Sequence, residues 1–347
     1  MSRRHRGVLI GCGFFANNHM HGWAEIDGAE IVAICDRELG KAEDMAARFG
    51  VAAVYDDAAA MLAAIEPDFV DIATTSTTHR MLVELAASHA RAVICQKPMA
   101  DSMADGEAMV AAAERAGIPL LIHENFRWQR PFREIDARVA RGDLGRIHFA
   151  RFAFRHGYDN YRNQPYLAEI ERFTLMDVGL HLFDLARHLV GEATTLACRT
   201  QRLNPIVKGE DAFTALVGHE DGATSVIDCS FYSKLTPHRF PQTTAWIEGD
   251  EGTIDLDEDY RLTVHSASGR ETFSVEPPVP TWGEKPWHVI QDSVVAFQRH
   301  VVDVLDGKTA PQPSGAHNLK TLAMALAAYE SAANDAVIDL RRWKERP

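Results

Sequence analysis

The chain has 347 residues, 46% hydrophobic and 24% charged, with a formal net charge of −13 at pH 7; that length favours two domains, each able to bury its own core. The acidic balance argues against a nucleic-acid surface and against a polybasic membrane contact, and no stretch approaches the ~20 apolar residues of a membrane-spanning helix. Five cysteines, odd in number and without C-x-x-C spacing, predict free thiols, no zinc site and a reducing, cytoplasmic setting. The opening MSRRHRGVLIGCG reads as a tail entering a first strand. Its apolar run breaks at Gly11, too short for a signal-peptide core, and no small-residue cleavage site follows.

The first third alternates strands and helices. GVLIG (7–11) is a short apolar strand, and the helix after it runs to about Ile26. IVAIC (31–35) is the second strand, followed by a helix from about Glu38 to Phe49. FVDIAT (69–74), AVICQ (92–96) and PLLIH (119–123) are further strands, separated by helices from about Thr78 to His89 and Ser102 to Ala116. Nearly all-apolar strands alternating with helices predict a parallel sheet covered on both faces, here a Rossmann-type doubly wound domain over residues 1–124.

Between the first strand and its helix lies Gly11-Cys-Gly13-Phe14-Phe15-Ala16, a G-x-G-x-x-A, and Asp36 ends the second strand. This is the dinucleotide arrangement. Gly11 allows the tight turn, Gly13 lets backbone N–H groups approach a pyrophosphate, and Ala16 lets the helix pack close. The phosphates meet the positive end of that helix. A carboxylate at Asp36 accepts from ribose hydroxyls and repels an extra phosphate, so NAD is favoured over NADP. Arg37 is the opposing feature, because it is able to stack on adenine or reach a 2′-phosphate. Thr74, Thr75, Ser76 and His79 occupy the crest after the third apolar strand. Gln96-Lys97-Pro98 forms the next crest, where proline stops the strand and holds Lys97.

After His123 the pattern changes. HENFRWQRPF (123–132) is polar and aromatic, and an amphipathic helix to about Arg141 and a GDLG turn follow. IHFARFAFR (147–155) alternates, with His148, Ala150, Phe152 and Phe154 on one face and Ile147, Phe149, Arg151, Ala153 and Arg155 on the other. The loop 156–173 is rich in Tyr, Asn, His and Arg, a composition suited to ligand contacts. A helix is predicted over Thr174–Val190. On it Asp177 and His181 share a face, continued by Asp184 and His188, while Val178, Leu182, Leu185 and Leu189 form a core stripe. The pair suits acid/base work. Equally, Thr174 and Asp177 suit a capping-box start and His181 a packed imidazole.

Strands follow near 194–203, 212–218, 223–232 and 243–249, then three shorter ones to about 275, with turns at Asp221-Gly222, Gly249–Gly252 and Ser268-Gly269. Residues 125–347 thus read as an α+β domain with an open, mainly antiparallel sheet. Val226, Ile227, Phe231, Trp246 and Ile247 are placed on its outer face, a surface apolar enough to predict a homodimer or homotetramer. Helices at about 289–305 and 316–333 and a short strand near Val337 close the chain.

The combination resembles the Gfo/Idh/MocA family of NAD(P)-dependent oxidoreductases. The resemblance rests on GCGFFA (11–16), Asp36, Gln96-Lys97-Pro98, Asn125-x-Arg127 with Pro131, and DVGLH (177–181), and covers nearly the whole chain. It implies that Lys97, Asp177 and His181 form a catalytic trio and that Gln96 and Asn125 lie near the cofactor. The family usually carries Glu-Lys-Pro at the crest, and Gln96 departs from that. An imidazole, with an ordinary pKa of ~6.5, is the best candidate for general base, with Asp177 orienting and Lys97 polarising the substrate oxygen. Scattered histidines without ligand spacing predict no metal.

Arg155, Tyr158, Asn160, Arg162 and Asn163, with Lys97, Asn125, Asp177 and His181, are the expected substrate contacts. They offer a polar pocket without a phosphate clamp, suited to a small unphosphorylated sugar or polyol. From the family, that means an aldose such as D-apiose or another pentose at C1, or an inositol. An NAD-dependent glycosidase of the same fold and a non-catalytic dinucleotide-binding sensor are the alternatives.

Overall fold

The structure is a computed structural model and describes residues 4–162 and 164–345. In chain order, the elements begin with β1 (His5–Ile10), α1 (Ala16–Glu25), β2 (Ala29–Cys35), α2 (Leu39–Phe49), β3 (Ala53–Tyr55) and α3 (Ala58–Ile65). β4 (Phe69–Ile72), α4 (Ser76–Ala86), β5 (Ala92–Gln96), α5 (Met103–Ala116) and β6 (Leu120–His123) follow. Next come α6 (Arg130–Ala140), β7 (Ile147–Arg155), α7 (Leu180–Leu189), β8 (Ala193–Gln201), β9 (Ala212–His219) and β10 (Thr224–Ser230). The last are β11 (Thr243–Gly249), β12 (Gly252–Leu256), β13 (Arg261–Ser266), β14 (Gly269–Ser274), α8 (His288–Leu305), α9 (Gly315–Asn334) and β15 (Ile338–Asp339).

Two compact units form, residues 1–128 with 279–320 and residues 129–278 with 321–347. In the first, six strands lie in the order β3-β2-β1-β4-β5-β6, every pairing parallel. This is the doubly wound order whose switch point falls between β1 and β4. Local chemistry sets the helix ends. Ser102 accepts from the Asp105 N–H to start α5, and Gly50 and Gly117 end α2 and α5 in the left-handed region. One layer of this core draws on distant sequence. Phe297, Val301 and Leu305 of α8 pack with Trp23, Ile26, Phe69, Ala92, Ile94 and Leu121. Burying a side chain of that size is worth ~1.5–3 kcal/mol, enough to commit the segment to this unit.

The second unit is built on a nine-stranded sheet, β14-β13-β12-β11-β7-β10-β9-β8-β15. β7 and β10 pair in parallel, and the other pairings are antiparallel. Its inner face lies under α7, where the Phe183 and Phe213 rings stand 6.1 Å apart. Ala150, Phe152 and Phe154 are buried there, whereas His148, expected beside them, is exposed at the strand start near Glu248 and Asp250.

The expected outer-face cluster is corrected. Ile227, Ile247 and Phe231 are buried, while Trp246 is 39% exposed and Val226 partly exposed. Side chains alternate along a strand, so sequence neighbours such as Val226 and Ile227 cannot share a face. The exposed row runs across the sheet through Leu216, Val226, Arg151 and Trp246.

The helix expected from Thr174 also differs. It begins as a π-helical turn, Leu175–Gly179, closed by the Leu180 N–H on the Leu175 carbonyl, and becomes α7 at Leu180. Thr174 makes no side-chain cap. Its hydroxyl instead faces the Glu210 carbonyl at 3.2 Å.

Candidate active site

In the first unit, the crest at the switch point is shaped for a dinucleotide. Gly11 sits at φ +99°, and a Cβ there would meet the Ala73 carbonyl oxygen at 2.7 Å, so both conformation and space demand glycine. A Cβ on Gly13 would meet nothing within 4 Å, which leaves open space for a ligand in front of the backbone. No side chain caps the first turn of α1, whose acceptor-seeking N–H groups follow directly. Phe15 is partly and Phe14 largely exposed in the turn, with Phe14 edge-on to Trp287 at 6.2 Å. Ala16 is buried.

Asp36 is held by both oxygens. Oδ2 accepts the Cys12 N–H at 2.8 Å and Oδ1 the Glu38 N–H at 2.9 Å. The carboxylate is thereby fixed at the end of β2, with lone pairs left for ribose hydroxyls. Arg37 is exposed beside it. Open space at Gly13, an uncapped helix start and a fixed carboxylate together fit NAD. These residues would hold its pyrophosphate and adenosine ribose.

The other crests differ in character. Thr74 and Ser76 are partly exposed and Thr75 is exposed, with the Ser76 hydroxyl on Asp101 at 2.7 Å. His79 is fully buried. Its Nδ1 faces the Pro98 and Met99 carbonyls at 3.0 and 3.2 Å, and its Nε2 faces the Thr74 carbonyl at 3.2 Å. It stands behind the β4 and β5 crests, fully buried, with one ring N–H to donate among these carbonyls. Burial pushes its pKa down. Lys97 is partly exposed after β5, and Gln96 is buried with its carbonyl on the Lys97 N–H at 2.6 Å. Asn125 is buried, its amide donating to Ser293 at 2.8 Å.

In the second unit, Asp177 is half-buried within the π turn and His181, 3% exposed, opens the first turn of α7. The five-residue turn, not an uninterrupted α-helix, sets their relation, and π turns of this kind concentrate at functional sites. Below them Cys229 is a buried thiol whose pKa is raised by burial and then by Asp177.

The start of this helix is capped from far away. Glu210, 7% exposed, accepts the Leu175 N–H at 2.9 Å, the Phe173 N–H at 3.2 Å and the Tyr329 hydroxyl at 2.7 Å. The sequence reading missed Glu210. Its only local trace is an acidic Glu-Asp pair before a strand, while the backbone groups it serves lie 35 and 37 residues upstream and Tyr329 119 downstream.

The remaining expected substrate residues divide. Tyr158, Asn160 and Arg162 lie on the loop after β7, ordered by the Tyr158 N–H on His156 Nδ1 at 3.2 Å and by turns at Asn160 and Arg162. Arg155 extends from the outer face and is held by Asp228 at 3.1 Å, away from the Phe213 face that packs under Gly179. The structure therefore does not group it with Asp177 and His181. The alternation that exposes Arg155 sets it on the face of the sheet opposite Phe213. Asn163 lies outside the described residues. No group of three or more His, Cys, Asp or Glu suited to a metal occurs among the described residues, and no helix among them is long and apolar enough to cross a membrane.

Residues 5–123 match the oxidoreductase family with an NAD-binding Rossmann fold, and residues 132–255 match the GFO/IDH/MocA C-terminal domain. The chain is 48% identical over 339 residues to a D-apiose dehydrogenase of Paraburkholderia graminis, covering 98% of this chain and 90% of that protein. It is 48% identical over 335 residues to a D-apiose dehydrogenase of Rhizobium rhizogenes, covering 96% and 97%. A crystal structure of an oxidoreductase from Agrobacterium radiobacter in complex with NAD+, L-tartaric acid and magnesium superposes with a TM-score of 0.95, at 47% identity over 98% of this chain and 99% of that one. With a doubly wound nucleotide domain, a nine-stranded second sheet and matches running through both, this chain belongs to the Gfo/Idh/MocA family of oxidoreductases.

Proposed function

We propose that this protein is an NAD-dependent dehydrogenase that oxidises one hydroxyl of a small unphosphorylated sugar, with D-apiose the leading substrate. The observation that carries this reading is 48% identity, over almost the entire chain, to two proteins named for that activity. Bound NAD+ would supply the hydride acceptor. The protein's own task is to hold the carbinol, remove its hydroxyl proton and exclude competitors. His181 serves as the base, imidazole being the side chain best suited to take up a proton near neutral pH. Asp177 hydrogen-bonds the hydroxyl or the imidazole. Lys97 polarises the substrate oxygen as negative charge develops on it. Tyr158, Asn160 and Arg162 supply the polar groups that select an uncharged polyol.

The test is reduction of NAD+ and NADP+ across a panel of pentoses, including D-apiose, with hexoses, inositols and sugar acids. Stoichiometric NADH release from D-apiose is expected and separates this reading from a glycosidase that recycles its hydride. Absence of reduction with every polyol overturns it.

The exposed row of Leu216, Val226 and Trp246 supports a dimer or tetramer formed through the second sheet. Sedimentation of wild type against Trp246→Arg tests this, and a wild-type monomer refutes it. Five free cysteines, four of them buried, support a reducing cytoplasmic setting.

A further inference from the structure

Behind the Lys97 crest runs a buried hydrogen-bonded chain that the reaction as described does not use. The Gln96 carbonyl accepts the Lys97 N–H at 2.6 Å. The Gln96 amide nitrogen faces His19 Nε2 at 3.2 Å. His19 Nδ1 faces Asp71 Oδ2 at 2.9 Å, and the same oxygen accepts the Trp23 indole N–H at 2.7 Å. His19 and Asp71 are fully buried and Gln96 is 8% exposed. Three separate elements, β5, α1 and β4, meet in this chain.

Every link has a forced direction. The Gln96 oxygen must face the Lys97 N–H, so its NH2 faces His19. An amide N–H only donates, so His19 Nε2 is the acceptor and carries no proton. The one proton of a neutral imidazole is then on Nδ1, donated to the Asp71 carboxylate. The chain is complete with His19 neutral and Asp71 as its only formal charge. Its neighbours preserve that state. His123 of β6 stacks on His19 at 4.2 Å; its two nitrogens have no partner, and burial followed by His19 pushes its pKa down. Cys95 stays a thiol, its pKa raised by burial and Asp71. From α8, Gln298 donates its amide to the His19 carbonyl at 2.9 Å and adds no charge.

We propose that Gln96, held by His19 and Asp71, is a positioning residue that fixes the backbone at Lys97 and whose amide completes the buried support with His19 neutral. A glutamate at this place, the residue usual in the family that the chain resembles, has no proton to donate to His19. It completes the chain only when one more proton is taken up, on His19 Nε2 or on the carboxyl itself. Gln96 removes that requirement. The catalytic side of the proposal rests on the reading of Lys97 as the residue that polarises the substrate.

The test uses the full-length protein with 15N-labelled histidine, His19 being identified by the signal lost in His19→Asn. The wild type is expected to show the Nδ1–H tautomer with an unprotonated Nε2 at neutral pH. An imidazolium or an Nε2–H tautomer at neutral pH overturns the chain. Gln96→Glu is expected to gain an ionisation, seen in the His19 signals and in the pH profile of kcat; His19 signals and a profile identical to wild type refute the charge argument. Gln96→Met, which can neither accept nor donate, is expected to lose about tenfold in kcat while the Kd for NAD+ changes less. Unchanged kcat refutes the positioning role. Lys97→Met separates the two layers: near wild-type turnover there refutes the reading of Lys97 and leaves the tautomer result standing.

Discussion

Replacing Glu210 tests how the second unit holds its reactive helix. Its carboxylate receives two backbone N–H groups, from Phe173 and Leu175, and the Tyr329 hydroxyl. Burial, then Glu210, pushes the Tyr329 phenol far up, so this donor keeps its proton at any working pH. In Glu210→Gln the amide oxygen keeps the Leu175 and Tyr329 bonds, but its NH2 confronts the Phe173 N–H, donor against donor. One charge-assisted bond is lost, worth ~1.5–3 kcal/mol, together with a favourable charge at a helix start, worth ~0.3–1 kcal/mol. The expected destabilisation is about 2–4 kcal/mol, near the top of the range for a single substitution. Glu210→Ala strands three buried donors at ~1–3 kcal/mol each, a loss comparable with the whole stability of many domains. Urea unfolding of wild type, Glu210→Gln and Tyr329→Phe measures these, with Tyr329→Phe expected to cost about 1–2 kcal/mol. Because the π turn hangs from this carboxylate, kcat of Glu210→Gln is expected to fall while NAD+ affinity is kept. A Glu210→Gln protein within ~0.5 kcal/mol of wild type and with unchanged kcat refutes the clamp.

Three further outcomes are expected. His181→Ala should lose ~10²–10⁴ in kcat with an unchanged Kd for NAD+, read by steady-state kinetics and by cofactor titration; near wild-type turnover removes His181 as base. Asp36→Ala should weaken NAD+ and relieve the repulsion of a 2′-phosphate, raising the NADP+/NAD+ ratio of kcat/KM by about tenfold or more; an unmoved ratio means the carboxylate does not face the ribose. His156 is 2% exposed, and its pKa is pushed down to about 3, chiefly by burial. An unfolded histidine takes its proton near pH 6.5, whereas the folded one refuses it until about pH 3. Stability is therefore full above pH 6.5 and falls as pH drops from 6.5 towards 3, by up to ~1.4 kcal/mol per pH unit for this one group. Unfolding free energies measured from about pH 8 to 5 should show this slope reduced by about one proton in His156→Asn, and an undiminished slope excludes His156 as its source.

Much of the fold was legible in local sequence because its signals are local. Apolar runs of five residues, GVLIG (7–11), IVAIC (31–35) and AVICQ (92–96), place strands and their crests, and the dinucleotide turn needs only the residues of one β-turn-α segment. Alternation marked β7, and Asp221-Gly222 and Ser268-Gly269 marked hairpins that the structure contains. The same alternation separates Val226, partly exposed, from Ile227, buried, so one shared outer face for both conflicts with the strand period.

Chain order and residue type by themselves determined a parallel nucleotide domain followed by a mostly antiparallel sheet, with a fixed acid at Asp36, a lysine crest and an Asp-x-x-x-His helix. Tertiary structure alone decided which partners those residues found. Glu210 caps a helix whose first residues precede it by about 35 positions, because a buried N–H takes whichever acceptor the packing brings. His79 is buried among the carbonyls of two crests, and Arg155 turns to Asp228 on the outer face. α8 returns across more than 150 residues to complete the first core. The chain from Lys97 through Gln96 and His19 to Asp71 joins three elements that local pattern cannot register against one another. Periodicity reports which side of an element is apolar, but the partner of a buried polar atom is set by the arrangement of all the elements around it.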